Sequence, residues 1–178
     1  GTLRRLSNEE QLIQEKPVTL TARGRSQLTV ANEFTNHTSI GYIVFESDSD
    51  AVQGYTKFFR QGADGSYRAA IPAVREVNTS DVYITHIDSG TQWWTGVSLV
   101  NTTSGTKNIT ITFNTGQTRS ITLTANQHTA FSIGSLFNNQ PLPSIQSAVI
   151  TNASGIIGLE LFATYDGKQM EGILLTDK

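Results

Sequence analysis

The feature that most limits the fold of this sequence is an internal repeat with a period of about 103 residues. Val18–Ala22 returns as Ile121–Ala125, and Asp64-Gly65 returns later as Asp166-Gly167. A period of this length is too long for a solenoid and has the size of two copies of one domain. The sequence therefore predicts two related units.

The two copies are of unequal length. Everything in copy two before about Ser104 lacks a counterpart in copy one, so the chain is expected to begin inside a repeat. We expect residues 1–75 to form a partial first repeat and residues 76–178 a complete second one. The first copy is either truncated or completed by other strands. An incomplete copy leaves a sheet edge open, and such edges pair with other chains, so we expect a homodimer through this edge.

Apolar residues alternate with threonine along much of the chain, as in Ile109–Phe113, Ile121–Thr124 and Val18–Thr21. This period of two indicates half-buried strands. Asp-Gly within Tyr165–Lys168 predicts a tight hairpin, and Asn114–Gln117 predicts a similar turn. Short strands at this spacing predict an all-β fold of two related antiparallel β-sandwich units, Ig-like or jelly-roll-like, the first incomplete. The remaining predicted strands are Tyr42–Glu46, Gly54–Phe59, Val82–Ile87, Gly96–Asn101, Thr129–Ile133, Ala148–Asn152, Ile156–Thr164 and Met170–Leu175.

Three other segments have weaker patterns. Leu3–Lys16 is charged and fits either a short helix or a frayed strand. Ala73–Ser80 is polar and is interpreted as the linker between the copies. Ser135–Asn138 is interpreted as a single helical turn inside a loop.

Composition excludes several classes of function. The net charge is −2, so no basic surface is expected for nucleic acid. No apolar run approaches the length of a membrane span, so no membrane insertion is expected. Cysteine is absent, so neither disulfides nor thiolate metal sites are expected. Richness in Thr, Ser, Asn and Gly suits a bacterial exported protein that is extracellular, periplasmic or at the cell surface.

Trp93-Trp94 is the most conspicuous candidate for ligand binding. Adjacent residues of a strand point to opposite faces, so one indole is expected in the core and the other at the surface. A surface indole can stack on a sugar ring or an apolar partner. The alternative is that both indoles serve only packing.

His86 and Asp88 flank Ile87 and are expected to share one strand face, where they would begin a metal site or supply a general base. A metal site needs further ligands, and the spacing of the usual zinc motifs is absent, so solvated side chains are the favoured interpretation. Asp48 and Asp50 fit a hairpin turn better than a calcium loop. Nucleophile-elbow and nucleotide-binding motifs are absent as well. We therefore expect no catalytic residues, metal or cofactor. Among the acidic residues, only Glu160 lies inside a well-defined strand.

Three segments carry a family resemblance. Tyr83–Ile87 followed by Trp93–Asn101, and then Gly158–Phe162, is similar to tandem modules of secreted and cell-surface bacterial proteins, with a W-x-T-G-[IV]-x-L-V-N strand and a closing G-x-x-L-F hairpin. Thr85 stands where those modules have proline. The resemblance implies a β-sandwich, export and tandem arrangement, and it implies no established catalytic residues.

Three functions remain open at this point. The first is a non-catalytic extracellular module for adhesion or spacing, with a glycan or a surface protein as partner. The second is a carbohydrate-binding module that uses an exposed Trp93 or Trp94. The third is an enzyme with an unrecognised site, which would need His86, Asp88 and another polar group to converge.

Overall fold

The computed structural model describes residues 1–35, 37–62 and 65–177, and its regular structure is mostly antiparallel β-strand. The predicted all-β fold is confirmed. The chain divides into two compact units, Gly1–Val52 and Gln53–Lys178. This division falls 23 residues before the boundary between residues 75 and 76 that the repeat predicts, so the hairpin that follows Val52 belongs to the second unit. The assignment of 1–75 and 76–178 as two repeats stays a prediction.

The first unit contains one three-stranded sheet of order β2-β1-β3. The segment Leu3–Lys16 lies in its β1–β2 hairpin, so the strand alternative is correct. Arg5 is wholly buried there, and its guanidinium lies 5.7 Å from the ring centroid of Phe34. The elements are β1 Thr2–Leu6, β2 Leu12–Pro17, helix α1 Val30–Glu33, a 3₁₀ helix at His37–Ser39 and β3 Tyr42–Glu46.

The strand predicted at Val18–Thr21 is wrong. Strand β2 ends at Pro17, whose ring nitrogen has no N–H to donate to a sheet. The next residues form a turn in which the Gly24 N–H donates to the Thr21 carbonyl at 2.8 Å. An alternating pattern stabilises a strand only where a partner strand is available. Val18 exchanges backbone hydrogen bonds with Gly1, but residues 19–21 have no partner strand among the described residues.

The second unit is a β-sandwich of two four-stranded antiparallel sheets with a two-stranded hairpin beside it. Sheet one has the order β10-β7-β12-β13, sheet two has the order β6-β11-β8-β9, and β4 pairs with β5. The strands are β4 Tyr55–Gly62, β5 Gly65–Pro72, β6 Val82–Ile84, β7 Trp93–Asn101, β8 Lys107–Phe113, β9 Thr118–Leu123, β10 His128–Ser132, β11 Ala148–Thr151, β12 Ile156–Thr164 and β13 Met170–Leu174, with a 3₁₀ helix at Gly134–Phe137.

The core between the two sheets follows from the alternation of the strands. Ile109 and Ile111 of β8 face inward with no exposed surface, while Thr110 lies between them and points the other way. From sheet one, Val97 and Leu99 of β7 point into the same core. The 3₁₀ helix at Gly134–Phe137 confirms the predicted helical turn and packs Leu136 and Phe137 against the core.

The β4–β5 hairpin packs on the outer face of sheet one. Ala69 of β5 lies in a small buried cluster with Ala163 and Met170. A Cβ on Gly172 would lie 2.5 Å from the Ile71 side chain, so glycine there lets the hairpin approach the sheet closely. The tip of this hairpin, predicted as the Gly62–Gly65 turn, includes Ala63 and Asp64, which lie outside the described residues.

The segment Ala73–Ser80 connects β5 to β6 within the second unit, and its role as the linker between the two copies stays a prediction. The side-chain amide of Asn78 donates to the carbonyls of Ile156 and Leu175 at 2.9 and 3.2 Å. The carboxylate of Asp177 accepts hydrogen bonds from the backbone N–H groups of Thr79 and Ser80. These bonds attach the segment to the sandwich within the second unit.

Candidate functional site

Hydrogen bonds hold three loops together at one end of the sandwich. The Leu142 N–H donates to the Ser89 carbonyl at 2.8 Å, and the Tyr165 N–H donates to the Gln92 carbonyl at 2.9 Å. The loop before β7 is therefore bonded to the loop after the 3₁₀ helix and to the β12–β13 turn. Loops fixed on a rigid sandwich are a common place for binding residues.

A small cleft, which we call the loop-end cleft, opens between these loops. Aromatic surface comes from Trp94 and from Tyr165, which is 64% exposed. Among the described residues, the side-chain amides of Asn139 and Gln140 and the Tyr165 hydroxyl have no hydrogen-bond partner, so they are available to a ligand. No lining side chain is charged. The lining residues are Ser89, Gly90, Trp94, Ser132, Gly134, Asn139, Gln140, Pro141 and Tyr165.

The local sequence explains the shape of the cleft. Asn138 and Asn139 both adopt positive φ, 56° and 57°, a conformation that asparagine tolerates better than most residues. They turn the chain back so that the Asn139 N–H donates to the Gly134 carbonyl at 2.8 Å. A Cβ on Gly96 would lie 2.9 Å from the Trp94 ring, so glycine allows the indole to lie over the strand.

The two tryptophans lie on opposite faces of β7, in agreement with strand alternation. Trp94 contacts the buried cluster under the β4–β5 hairpin and also lines the cleft. Trp93 shares the inner face of the strand with Thr95, and its ring lies 6.5 Å from that of Phe162. Both indoles are half-buried, so the expectation of one indole in the core and one at the surface is wrong. Of the two, Trp94 lines the described cleft.

The prediction that His86 and Asp88 share a strand face is wrong, because β6 ends at Ile84. The Asp88 backbone exchanges two hydrogen bonds with the Thr95 hydroxyl, each 2.9 Å long. The His86 ring packs edge-on against Phe162 with 4.7 Å between centroids. No hydrogen bond joins the His86 ring to the Asp88 carboxylate among the described contacts.

A buried carboxyl group lies close to His86. Glu160 of β12 is wholly buried, and neither of its carboxyl oxygens has a hydrogen-bond partner among the described residues. It pairs across the sheet with Val97 and Ile173 and therefore points to the inner face. A buried acid without a partner is costly, which makes it a candidate for a functional role.

The surroundings of Glu160 favour its neutral form. Burial raises the pKa of this carboxyl from its ordinary value of 4.5 to about 7. The backbone N–H of His86 is close enough to lower that pKa in part, although it does not reach hydrogen-bond geometry. Glu160 is thus largely protonated below neutral pH.

The sequence interpretation missed four residues that the structure makes prominent. Tyr165, Asn139 and Gln140 come from loops, and their convergence with Trp94 depends on hydrogen bonds between distant segments. Glu160 could have been identified from the sequence, since a lone acidic residue in an apolar strand indicates either a wrongly predicted strand register or a buried carboxyl group.

No group of three His, Asp or Glu side chains able to hold a metal ion occurs among the described residues. No described helix has both the length and the apolar character that crossing a membrane requires. Comparisons of the chain with models of protein families, with curated proteins and with solved structures found no match.

Proposed function

We propose that this chain is a non-catalytic adhesion or spacing module of a bacterial exported protein, and that its contacts with a partner are made through the loop-end cleft. The observation that carries the proposal is the set of three loops bonded to one another around Trp94 and Tyr165. The family resemblance, with its implication of tandem exported modules, supports the bacterial and extracellular setting.

The hydrogen bonds between the three loops support a binding role over a purely passive one. A cleft held by backbone hydrogen bonds loses little conformational entropy when a ligand binds. Exposed Tyr165 and half-buried Trp94 supply broad contact area, and the amides of Asn139 and Gln140 supply directional hydrogen bonds.

The test is adhesion of beads that carry the full chain, measured as retention under flow on bacterial cells, mucin and collagen. Tyr165→Ala removes the most exposed aromatic ring of the cleft, and Tyr83→Ala is a matched control, since Tyr83 is 49% exposed on β6 and does not line the cleft. We expect Tyr165→Ala beads to be lost and Tyr83→Ala beads to be retained. Equal retention of the two variants, or no retention of wild-type beads, would contradict the proposal.

The second candidate is a carbohydrate-binding module, and the composition of the cleft favours it specifically. Sugar rings stack on aromatic faces and exchange hydrogen bonds with amides and hydroxyl groups. Trp94 and Tyr165 provide the former, and Asn139, Gln140 and Ser132 provide the latter. Because no lining side chain is charged, we propose neutral glycans over acidic ones.

Electrophoresis in gels that contain soluble polysaccharide tests this candidate. Migration is compared in β-glucan, xylan and galactomannan, with alginate as the acidic counterpart. We expect at least one neutral polymer to retard the wild type and Tyr83→Ala but not Tyr165→Ala. Unchanged migration in every neutral gel would exclude the carbohydrate-binding candidate. Dimerisation through an open sheet edge stays a separate prediction, for which light scattering at high concentration is the measurement.

A further inference from the structure

We propose that Glu160 is a proton-dependent lock on the segment 85–92, which closes against the sandwich when the carboxyl is protonated and loosens when it is ionised. The inference begins with the position of the group. Glu160 is wholly buried on the inner face of β12, and both oxygens are unpartnered among the described residues. An ionised carboxylate in that position has lost its hydration without gaining a partner.

Segment 85–92 lies next to Glu160 and is attached to the rest of the sandwich by Ile87, which is buried in the core, and by hydrogen bonds. The His86 backbone lies against the carboxyl group, and the His86 ring rests on Phe162, two residues further along β12. Segment 85–92 contains no strand, and its described attachments include the bond from the Ile87 N–H to the Gln146 carbonyl at 2.7 Å and the Asp88–Thr95 pair. Opening this segment would admit water to Glu160 without breaking a sheet ladder.

Other ionisable groups near Glu160 are few. Strand β7 carries none, and β13 contributes Glu171, which is exposed and pairs with Phe162. Segment 85–92 contributes His86 and Asp88, and β6 contributes the exposed Tyr83. Glu160 has no ion-pair partner among the described residues, so burial dominates its protonation and raises its pKa to about 7.

The lock has a consequence for the loop-end cleft, and this step rests on the proposed function. Ser89 and Gly90 of segment 85–92 line the cleft, and its Gln92 carbonyl accepts the bond from Tyr165. Loosening of the segment therefore removes one wall of the cleft. Ligand binding is expected to be stronger at pH 5.5 than at pH 8.

Amide hydrogen exchange of the full chain tests the lock. Protection factors, which correct for the intrinsic effect of pH, are compared at pH 5.5 and 8 for Ile87 and Asp88, with amides of β8 as internal controls. A carboxyl that titrates near 4.5 when open and about 7 when closed predicts a fall in protection on the order of 20-fold. Because unfolding of the whole unit also exposes Glu160, the β8 amides report global opening. Protection of Ile87 and Asp88 that equals that of β8 at pH 8 would show exchange only through global unfolding and would overturn the proposal, as would unchanged protection at Ile87 between the two pH values.

Two variants assign the effect to Glu160. Glu160→Gln is expected to abolish the pH dependence, whereas His86→Phe keeps the ring contact with Phe162 and is expected to retain it. Loss of the dependence in His86→Phe alone would assign the effect to the histidine and overturn the proposal. If Glu160→Gln does not fold, the pH titration of the ¹³C signal of the Glu160 carboxyl is measured in the wild type instead. A titration midpoint equal to that of the other glutamates would overturn the proposal.

A binding experiment with polysaccharide distinguishes a failure of this proposal from a failure of the proposed function. Retardation in the polysaccharide gels is compared at pH 5.5 and 8 for wild type and Glu160→Gln. Absence of retardation at both pH values counts against carbohydrate binding, and hydrogen exchange then decides alone whether the lock exists. Retardation of the wild type that is equal at both pH values would overturn the coupling between Glu160 and the cleft.

Discussion

Replacing Glu160 with glutamine is expected to change the pH dependence of stability of the second unit by a predictable amount. The folded unit holds this carboxyl at a pKa of about 7, against 4.5 ordinarily. Because the folded pKa is the higher one, the folded state binds the proton more tightly, so stability is greatest at low pH and falls as pH rises from 4.5 to about 7. Each pKa unit corresponds to about 1.4 kcal/mol, so the loss amounts to roughly 3 kcal/mol.

Urea denaturation followed by tryptophan fluorescence measures this loss in the full chain. Both tryptophans, Trp93 and Trp94, belong to the second unit, so the signal reports that unit alone. The free energy of unfolding of Glu160→Gln minus that of the wild type is expected to rise by about 3 kcal/mol between pH 4.5 and 8. Burial lowers the pKa of His128, which makes stability fall with acid, but this contribution is present in both proteins and cancels. A difference that stays constant across this range would refute the reasoning.

Three further predictions concern packing and polar contacts in the same unit, each read from the free energy of unfolding by the same fluorescence assay. Asn101→Ala removes a wholly buried side chain that donates to three carbonyls, and we expect a loss of at least about 2 kcal/mol; a loss below about 0.5 kcal/mol would show that those carbonyls find other donors. Gly172→Val is expected to lower the free energy of unfolding by about 1–3 kcal/mol, because the added side chain would contact Ile71. The second change Ile71→Ala should recover part of this loss, and losses that simply add in the double variant would contradict the contact. Ile111→Ala in the core is expected to cost about 2–5 kcal/mol, and a cost below about 1 kcal/mol would contradict its complete burial.

Much of the second unit could be predicted from the sequence because its strands obey a strict alternation. Lys107–Phe113 and Thr118–Leu123 form β8 and β9, joined by the predicted turn, in which Gly116 takes a positive φ of 83°. The Asp-Gly turn after β12 is likewise present, with the Gly167 N–H donating to the Thr164 carbonyl at 3.0 Å. In these segments local pattern and tertiary pairing agree, which makes the local pattern sufficient.

The failures occur where a distant contact decides the local conformation. Val18–Thr21 has the same alternation as β9, yet only Val18 is paired, through hydrogen bonds with Gly1, and the segment forms no strand. The predicted strand through Ile87 stops at Ile84, and the Asp88 backbone beyond it is bonded to the Thr95 hydroxyl. The sequence does not reveal that a side-chain hydroxyl binds the backbone at this point, because Thr95 and Asp88 meet only after the sandwich has formed.

The candidate site was only partly predictable for the same reason. Trp94 was identified from its residue type, and strand alternation separated it from Trp93. Its neighbours Tyr165 and Asn139 lie 71 and 45 residues away in the sequence and meet it through loop-to-loop hydrogen bonds. Motif searches find residues at fixed spacing, whereas a cleft built from three loops has no fixed spacing.

Nuclear magnetic resonance mapping of the loop-end cleft tests the central proposal most directly. The ¹⁵N-labelled chain is titrated with neutral gluco-, xylo- and manno-oligosaccharides, and the side-chain amide signals of Asn139 and Gln140 are followed with the backbone signals of Gly90 and Tyr165. We predict saturable shifts at these positions at pH 5.5, and their loss in Tyr165→Ala. Shifts that are absent, or that centre on Tyr83 of β6, would contradict a carbohydrate site in this cleft.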